Sequence, residues 1–206
     1  MLLLAFIKIL FKKIRIRILT RCQCVSPTGD ANISDPVDFD QNDQFCLNGE
    51  RLVLVSGIYG DSGSEYNTEN GSVINIIAHG RLGNGPKYFE VIGKDGKVLY
   101  FGEDIDSRHY QSLNVNAYSD SVYSWKLDRT VDKYGNSITY TYYNDSFNGQ
   151  HFISTINYSG YSLEFNYSDT VREDIIQGYL APDTKYLINK LLQSVVVKFG
   201  VNTILN

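Results

Sequence analysis

One stretch restricts this chain more than any other: Trp125 to Tyr143, WKLDRTVDKYGNSITYTYY. Tyr123, Trp125 and Leu127 fall on one face of a first strand. An Asp-Lys-Tyr-Gly-Asn turn follows, and Ile138, Tyr140 and Tyr142 then share a face of a second strand, with Thr139 and Thr141 on the other. Gly135 and Asn136 tolerate positive φ, so they set the turn. Tyr and Thr suit a pleated, half-buried surface. The unit is a β-hairpin with an aromatic face, and hairpins of this kind build sheets that wrap.

The same grammar recurs along the chain. Asn48-Gly49 is a two-residue hairpin signal joining strands at 44–47 and 50–55. Asp95-Gly96 sits between strands at 88–92 and 98–101, and these two dipeptides fix register. That pairing predicts Lys94 opposite Lys97, with Asp95 offsetting their repulsion. Val73 to Ala78 reads as a buried strand, Ile153 to Tyr158 as another, and Tyr161, Leu163, Phe165 and Tyr167 alternate with Ser162, Glu164 and Asn166. Residues 26–44, 59–71 and 169–184 read as loops, Tyr186 to Leu192 as two turns of helix, and Leu192 to Phe199 as a last strand. The turn-then-tyrosine unit repeats with irregular spacing, which excludes a strict solenoid. The pattern predicts an all-β fold of about ten to twelve strands in antiparallel twisted sheets, packed as sandwich-like layers with little or no helix. Trp125, Tyr140, Tyr142, Phe165 and Tyr167 are the expected structural anchors.

Charge and cysteine content narrow the function classes. Charged residues make up 20% of 206, and the net charge is −4. Nucleic-acid binding needs clustered Lys and Arg, so no nucleic-acid partner is expected. Cys22, Cys24 and Cys46 are too few and too oddly spaced for a disulfide framework or a zinc knuckle, and read as unpaired thiols. The N-terminal segment, residues 1–20, carries an apolar run to Leu10 followed by Lys12, Lys13, Arg15 and Arg17. A secretory signal places its charge before the apolar run. The run is also far short of the roughly 20 residues that span a bilayer. Ile14 to Ile18 alternates as a strand does, and contact of residues 1–19 with a membrane surface is the lesser reading.

A search for chemistry returns no convergent set. Asp106-Ser107-Arg108-His109 invites a triad, but triads are defined by spatial roles that adjacency on one turn does not supply. Asp38 to Asp43 is acidic, yet an EF-hand loop starting there would need Gly at position 43 and Glu at position 49, which are Asp43 and Gly49. The glycines of residues 80–85 lack a phosphate loop's Gly-Lys-Ser/Thr ending. Hence no catalytic residue, metal site, cofactor or small-molecule substrate is expected, and the chain is not expected to be an enzyme.

Several segments in a shared order resemble one family. Phe45-Cys-Leu-Asn-Gly-Glu-Arg-Leu52 is similar to a segment of the Salmonella virulence plasmid B (SpvB) proteins and the B components of insecticidal toxin complexes. Ile18-Leu-Thr-Arg-Cys22, Gly63 to Glu69, Gly83-Asn-Gly-Pro86, Asp106-Ser-Arg108 and Phe165-Asn-Tyr167 with Arg172, Asp174 and Tyr179 continue the match over roughly residues 18–199. Asp132 to Tyr142 also resembles one YD (RHS-type) repeat, within 125–143. The resemblance implies that residues 21–206 form a β-rich segment of an RHS-type shell. In such proteins a shell encloses a toxic C-terminal cargo and docks on a pore-forming A component. It further implies a bacterial protein that is secreted, or cytoplasmic before release. The second expectation is a secreted or surface-displayed binding module, using tyrosine faces for glycan or protein contact.

Overall fold

The computed structural model describes residues 18–22, 24–25, 34–71, 75–110, 121–168, 170, 172–182 and 184–205. Their order begins with β1 (Ile18–Cys22), β2 (Cys24–Val25), β3 (Ser34–Asp35), β4 (Gln44–Leu47), β5 (Glu50–Ser56), β6 (Glu65–Thr68) and β7 (Asn75–His79). It continues through β8 (Tyr88–Ile92), β9 (Val98–Phe101), β10 (Arg108–Tyr110), β11 (Val122–Val131), β12 (Ser137–Asp145) and β13 (Gln150–Tyr158). The last strands are β14 (Tyr161–Tyr167), β15 (Ile176–Ala181), β16 (Thr184–Ile188), β17 (Leu192–Phe199) and β18 (Asn202–Leu205). The one helix among the described residues is a single 3-10 turn, Ile105–Ser107. The fold is all-β and antiparallel throughout, as the alternation predicts.

Closure organises the strands. The order β1-β4-β5-β6-β7-β8-β9-β11 returns to β1, because Leu19 lies opposite Trp125. Eight strands therefore form a barrel, which abolishes free edges. Barrels of this size are filled by their own side chains. Here Phe45, Tyr66, Phe89, Phe101 and Trp125 are all buried inside. Phe89 stands edge-on to Trp125 at 5.0 Å, and Phe45 does so at 5.6 Å, the geometry that aromatic quadrupoles favour. Arg21 lies among these rings, donating from Nε to the Val122 carbonyl at 2.9 Å and pairing with buried Asp43 at 2.8 Å.

β11 is shared. Its first half pairs with β1 and β10, and its second half with β9 and β12. From β12 the sheet leaves the barrel and runs through β13, β14, β17 and β18. Tyr142, Ile156, Leu163 and Val197 form its own apolar cluster, and Tyr140 packs against both clusters. The β15–β16 ribbon is a separate two-stranded sheet.

The three marked dipeptides all lie at turns, and one of them differs in register from the expectation. Asn48 and Gly49 have φ of 53° and 84° between paired Leu47 and Glu50. Gly135, at φ 86°, closes the second hairpin, while Asn136 works through Asp132: its amide and side-chain nitrogen both donate to that carboxylate, at 2.9 and 2.8 Å. The Asp95-Gly96 hairpin shows a different register from the one expected. Gly93, not Lys94, opposes Lys97, because the loop holds three residues with Gly96 at φ 75°. Asp95 pairs with Lys97 directly.

Other expectations fail for physical reasons. β6 lies within the expected loop at 59–71, since a strand of Glu, Tyr, Asn and Thr buries only Tyr66 and Thr68. β15 crosses the expected loop at 169–184, and residues 186–188 extend β16 rather than coil into a helix, because pairing with β15 supplies their backbone partners. Tyr123 and Trp125 do not share a face. The β10–β11 register shifts between His109 and Tyr110, leaving Tyr123 out of step, and such a bulge re-aims side chains. Cys22 and Cys46 are joined in a disulfide across β1 and β4, which overturns the reading of unpaired thiols. Residues 14–17, 26–33 and 73–74, on which parts of the predicted strands and loop fall, lie outside the described residues.

Candidate functional site

The expected anchors hold structural places. Trp125 is fully buried in the barrel, its indole N–H donating to the Lys87 carbonyl at 3.2 Å. Tyr142 is buried in the sheet cluster and donates to the Leu127 carbonyl at 2.6 Å. Tyr140 and Phe165 pack half-buried on that cluster. Tyr167 tilts against Phe152 at 4.3 Å and donates to the Ile153 carbonyl at 2.9 Å, and Tyr161 tilts against Phe199 at 4.7 Å.

The Asp106 to His109 stretch is dispersed by its geometry. Asp106 accepts the Tyr142 amide at 2.7 Å, and Ser107 donates to Asp128 at 3.0 Å. The Arg108 guanidinium binds the Gly102 and Glu103 carbonyls at 2.6 and 2.7 Å. Asp38, Asp40 and Asp43 do converge, with ligand atoms within 4.8 Å. Their oxygens are engaged: Asp43 holds Arg21 and the Phe39 amide, and Asp40 holds the Asn42 amide and side-chain amide.

A different constellation emerges outside the barrel wall. β10, β11 and β1 form one side of a cleft, β13 and β14 its floor, and the β15–β16 ribbon its far side. Gly149 places the ribbon there. At φ 78°, a Cβ on it would fall 2.7 Å from the Lys185 carbonyl carbon, and its own carbonyl accepts the Leu187 amide at 2.8 Å. Only glycine permits that approach. The cleft encloses about 500 Å³, within the roughly 300–1,000 Å³ usual for ligand pockets. Its walls include Tyr123, Phe152, Leu180 and Ile188, with Lys126, Lys190, His109 and His151.

The two imidazoles stand edge to face at 5.4 Å, although 41 positions separate 109 from 151 in the chain. His151 Nε2 lies 2.8 Å from the Asp106 carbonyl, which can only accept, so Nε2 carries the proton. His109 is held by a backbone hydrogen bond to Lys185. Buried His109 Nε2 and His151 Nδ1 have no hydrogen-bond partner among the described residues. Burial, then the Lys126 charge, pushes His109 down to about 4, and the same causes with His109 push His151 to about 2. Burial alone lowers Lys126 to about 7. Its ammonium donates to the His151 carbonyl at 2.6 Å and lies 5.2 Å from the Tyr142 ring centroid. No carboxylate lines the cleft among the described residues. The third histidine is elsewhere, stacked on Tyr88 and 3.1 Å from Glu90. Sequence reasoning missed this cluster because its members come from strands far apart in the chain.

A closed barrel filled with aromatic side chains, continued through a shared strand into an open sheet, defines an all-β module of barrel and sheet. The family model for the Salmonella virulence plasmid 65kDa B protein matches residues 67–181, more than half of the chain, and the chain belongs to that family. Its fold resembles the N-terminal domain of effector protein SpvB from Salmonella typhimurium, at TM-score 0.66 and 13% identity, covering 88% of this chain and 75% of that one. It also resembles the TcdB2-TccC3 complex, at TM-score 0.64 and 14% identity over 89% of this chain. The Photorhabdus luminescens Tc holotoxin pore gives 0.63 and 13% over 88%. The chain spans 11% of the matched chain in each of these two assemblies. No curated protein sequence matches it.

Proposed function

We propose that this chain is a non-catalytic shell segment of a toxin-complex protein, enclosing or supporting a toxic cargo polypeptide. One observation carries the proposal: the barrel is sealed on itself, yet the sheet that leaves it ends at β18, paired on one side only among the described residues. Phe199 and Val201 are exposed near that edge. A wall element needs both features, a rigid closed core and an edge for further strands to continue. The remaining shell, a C-terminal cargo and a pore-forming A component are the partners this role requires, and the hairpin at 125–143 would act as a YD-type repeat within the wall. The Cys22–Cys46 disulfide supports a life outside the cytoplasm after release, since such bonds persist in oxidising surroundings.

The test is co-expression with the polypeptide encoded immediately downstream, followed by limited proteolysis. Co-purification with protection of that polypeptide is expected. Cleavage at the rate of the free polypeptide, without co-purification, would overturn the proposal. A glycan array serves as the counter-test: binding lost in Tyr161→Ala or Tyr167→Ala would assign a surface binding module instead.

A further inference from the structure

We propose that the cleft between the barrel wall and the β15–β16 ribbon binds a carboxylate carried on an apolar body. The inference goes beyond the shell role and does not depend on it. Its first support is charge. Lys126 and Lys190 both face the cleft, neither has a carboxylate partner among the described residues, and none lines the cleft. Every other buried or half-buried cation of the barrel region is compensated: Arg21 by Asp43, Arg129 by Glu103, Arg108 by three oxygen acceptors. Lys126 has one carbonyl and an aromatic face, which leaves two of its three N–H donors for a ligand.

The second support is the lining. Ring faces and aliphatic chains make up much of the walls, chiefly Tyr123, Phe152, Tyr186, Leu180 and Ile188. An apolar pocket with a few convergent polar groups is the usual form of a small-molecule site. The charged groups at this one are both cations, beside two neutral imidazoles and the uncharged Thr20, Ser124 and Asn189, so a cation is disfavoured and a plain hydrocarbon leaves the ammonium unanswered. An anionic head at Lys126 with an apolar tail along Phe152 and the ribbon satisfies both demands. Such a head is available on a free aliphatic acid or on the C-terminus of an apolar peptide.

Calorimetric titration of the purified full chain with octanoate is the test, with octanol and octylamine as matched probes. Octanoate is expected to bind at least about tenfold more tightly than either, the scale of one charge-assisted hydrogen bond. Lys126→Met should lose that preference while circular dichroism stays unchanged, since it removes a charge with no ionic partner. Ile188→Glu, at a half-exposed wall position, places a competing carboxylate at the cleft and should also abolish binding. An apolar tetrapeptide with a free C-terminus, against its amide, separates the two sources: binding by the peptide alone assigns a chain terminus, and by octanoate alone a free acid. Equal binding of octanoate and octanol, an unaltered Lys126→Met, or no binding by either carboxylate to the folded protein overturns the proposal.

Discussion

Trp125→Ala is the most direct probe of the barrel. The indole is wholly buried, stands edge-on to Phe45 and Phe89, and donates to the Lys87 carbonyl. A buried Trp covers up to about 250 Å² of surface, worth roughly 6 kcal/mol at 25 cal/mol per Å². Measured truncations of large aromatics fall at about 3–5 kcal/mol, because the alanine recovers part of the burial and the site partly collapses. The lost hydrogen bond adds about 1 kcal/mol. A total of about 4–6 kcal/mol is expected, a large share of the roughly 5–15 kcal/mol that a domain possesses. Trp125→Phe should lose only about 1–2 kcal/mol, since the ring contacts survive and the N–H does not. Urea unfolding followed by far-ultraviolet circular dichroism reads both, because this is the single tryptophan and its fluorescence disappears with it. A loss under about 1 kcal/mol for the alanine variant, at unchanged m-value, would refute the barrel-core assignment.

Gly102→Ala should be costly, because its φ is 78° and its Cβ would collide with the Trp125 indole, whereas Gly135→Ala meets no neighbour and should lose only about 1–2 kcal/mol of backbone strain; thermal melts of the pair give the ranking. Replacing Cys22 and Cys46 with Ser should cost about 3 kcal/mol from the chain entropy of the 24-residue separation, and a reductant added to the wild type should reproduce the shift. Acidification from about pH 6.5 to 4 should destabilise the protein through His109 and His151. Their folded values are depressed, so the unfolded chain takes up protons that the native state refuses. Asp128, raised to about 6 by burial, works in the opposite direction and offsets one of the two histidines. The net expectation is a loss of about 1 kcal/mol per pH unit over that window. Urea melts at the two ends of the range, repeated in His109→Gln with His151→Gln, should show the slope reversing toward the Asp128 effect.

What the sequence disclosed was the local part of the fold. Hairpins at Asn48-Gly49, Asp95-Gly96 and Gly135 are written in a few adjacent residues, because positive φ is a property of single positions. β6 was illegible because its burial comes from a closed barrel, which accepts Tyr66 and Thr68 on the inner face of a strand otherwise polar. Tyr186 to Ile188 was misread because a short apolar run has no decisive period, and only pairing with β15 resolves it. The disulfide needed the β1–β4 register, and the cleft needed β10, β13 and the ribbon brought together across chain separations that no local pattern encodes. The all-β class was legible in the period-two alternation itself, and the family resemblance added the order of its motifs along the whole chain.

β11 explains why the barrel and the cleft belong to one design. A strand that stayed in regular register from Val122 to Val131 would send Tyr123, Trp125 and Leu127 to the same side. Two register shifts interrupt it: one beside Tyr110, which takes Tyr123 off the side that Trp125 and Leu127 share, and one between Leu127 and Arg129. The first releases Tyr123 to the outer cleft while Trp125 stays in the barrel. The second centres on Asp128, whose Oδ2 accepts the Asp104 amide at 2.8 Å and the Ser107 hydroxyl at 3.0 Å. Tyr142 then secures the strand from outside by donating to the Leu127 carbonyl. Bulges concentrate twist where they occur, and here they turn one strand from a barrel stave into the first strand of a sheet. Closing the barrel and starting the sheet therefore fall to one irregular strand, while its regular alternation between Trp125 and Leu127 turns Lys126 to the cleft. A substitution that regularised β11 would be expected to shift Tyr123 and the start of the sheet together.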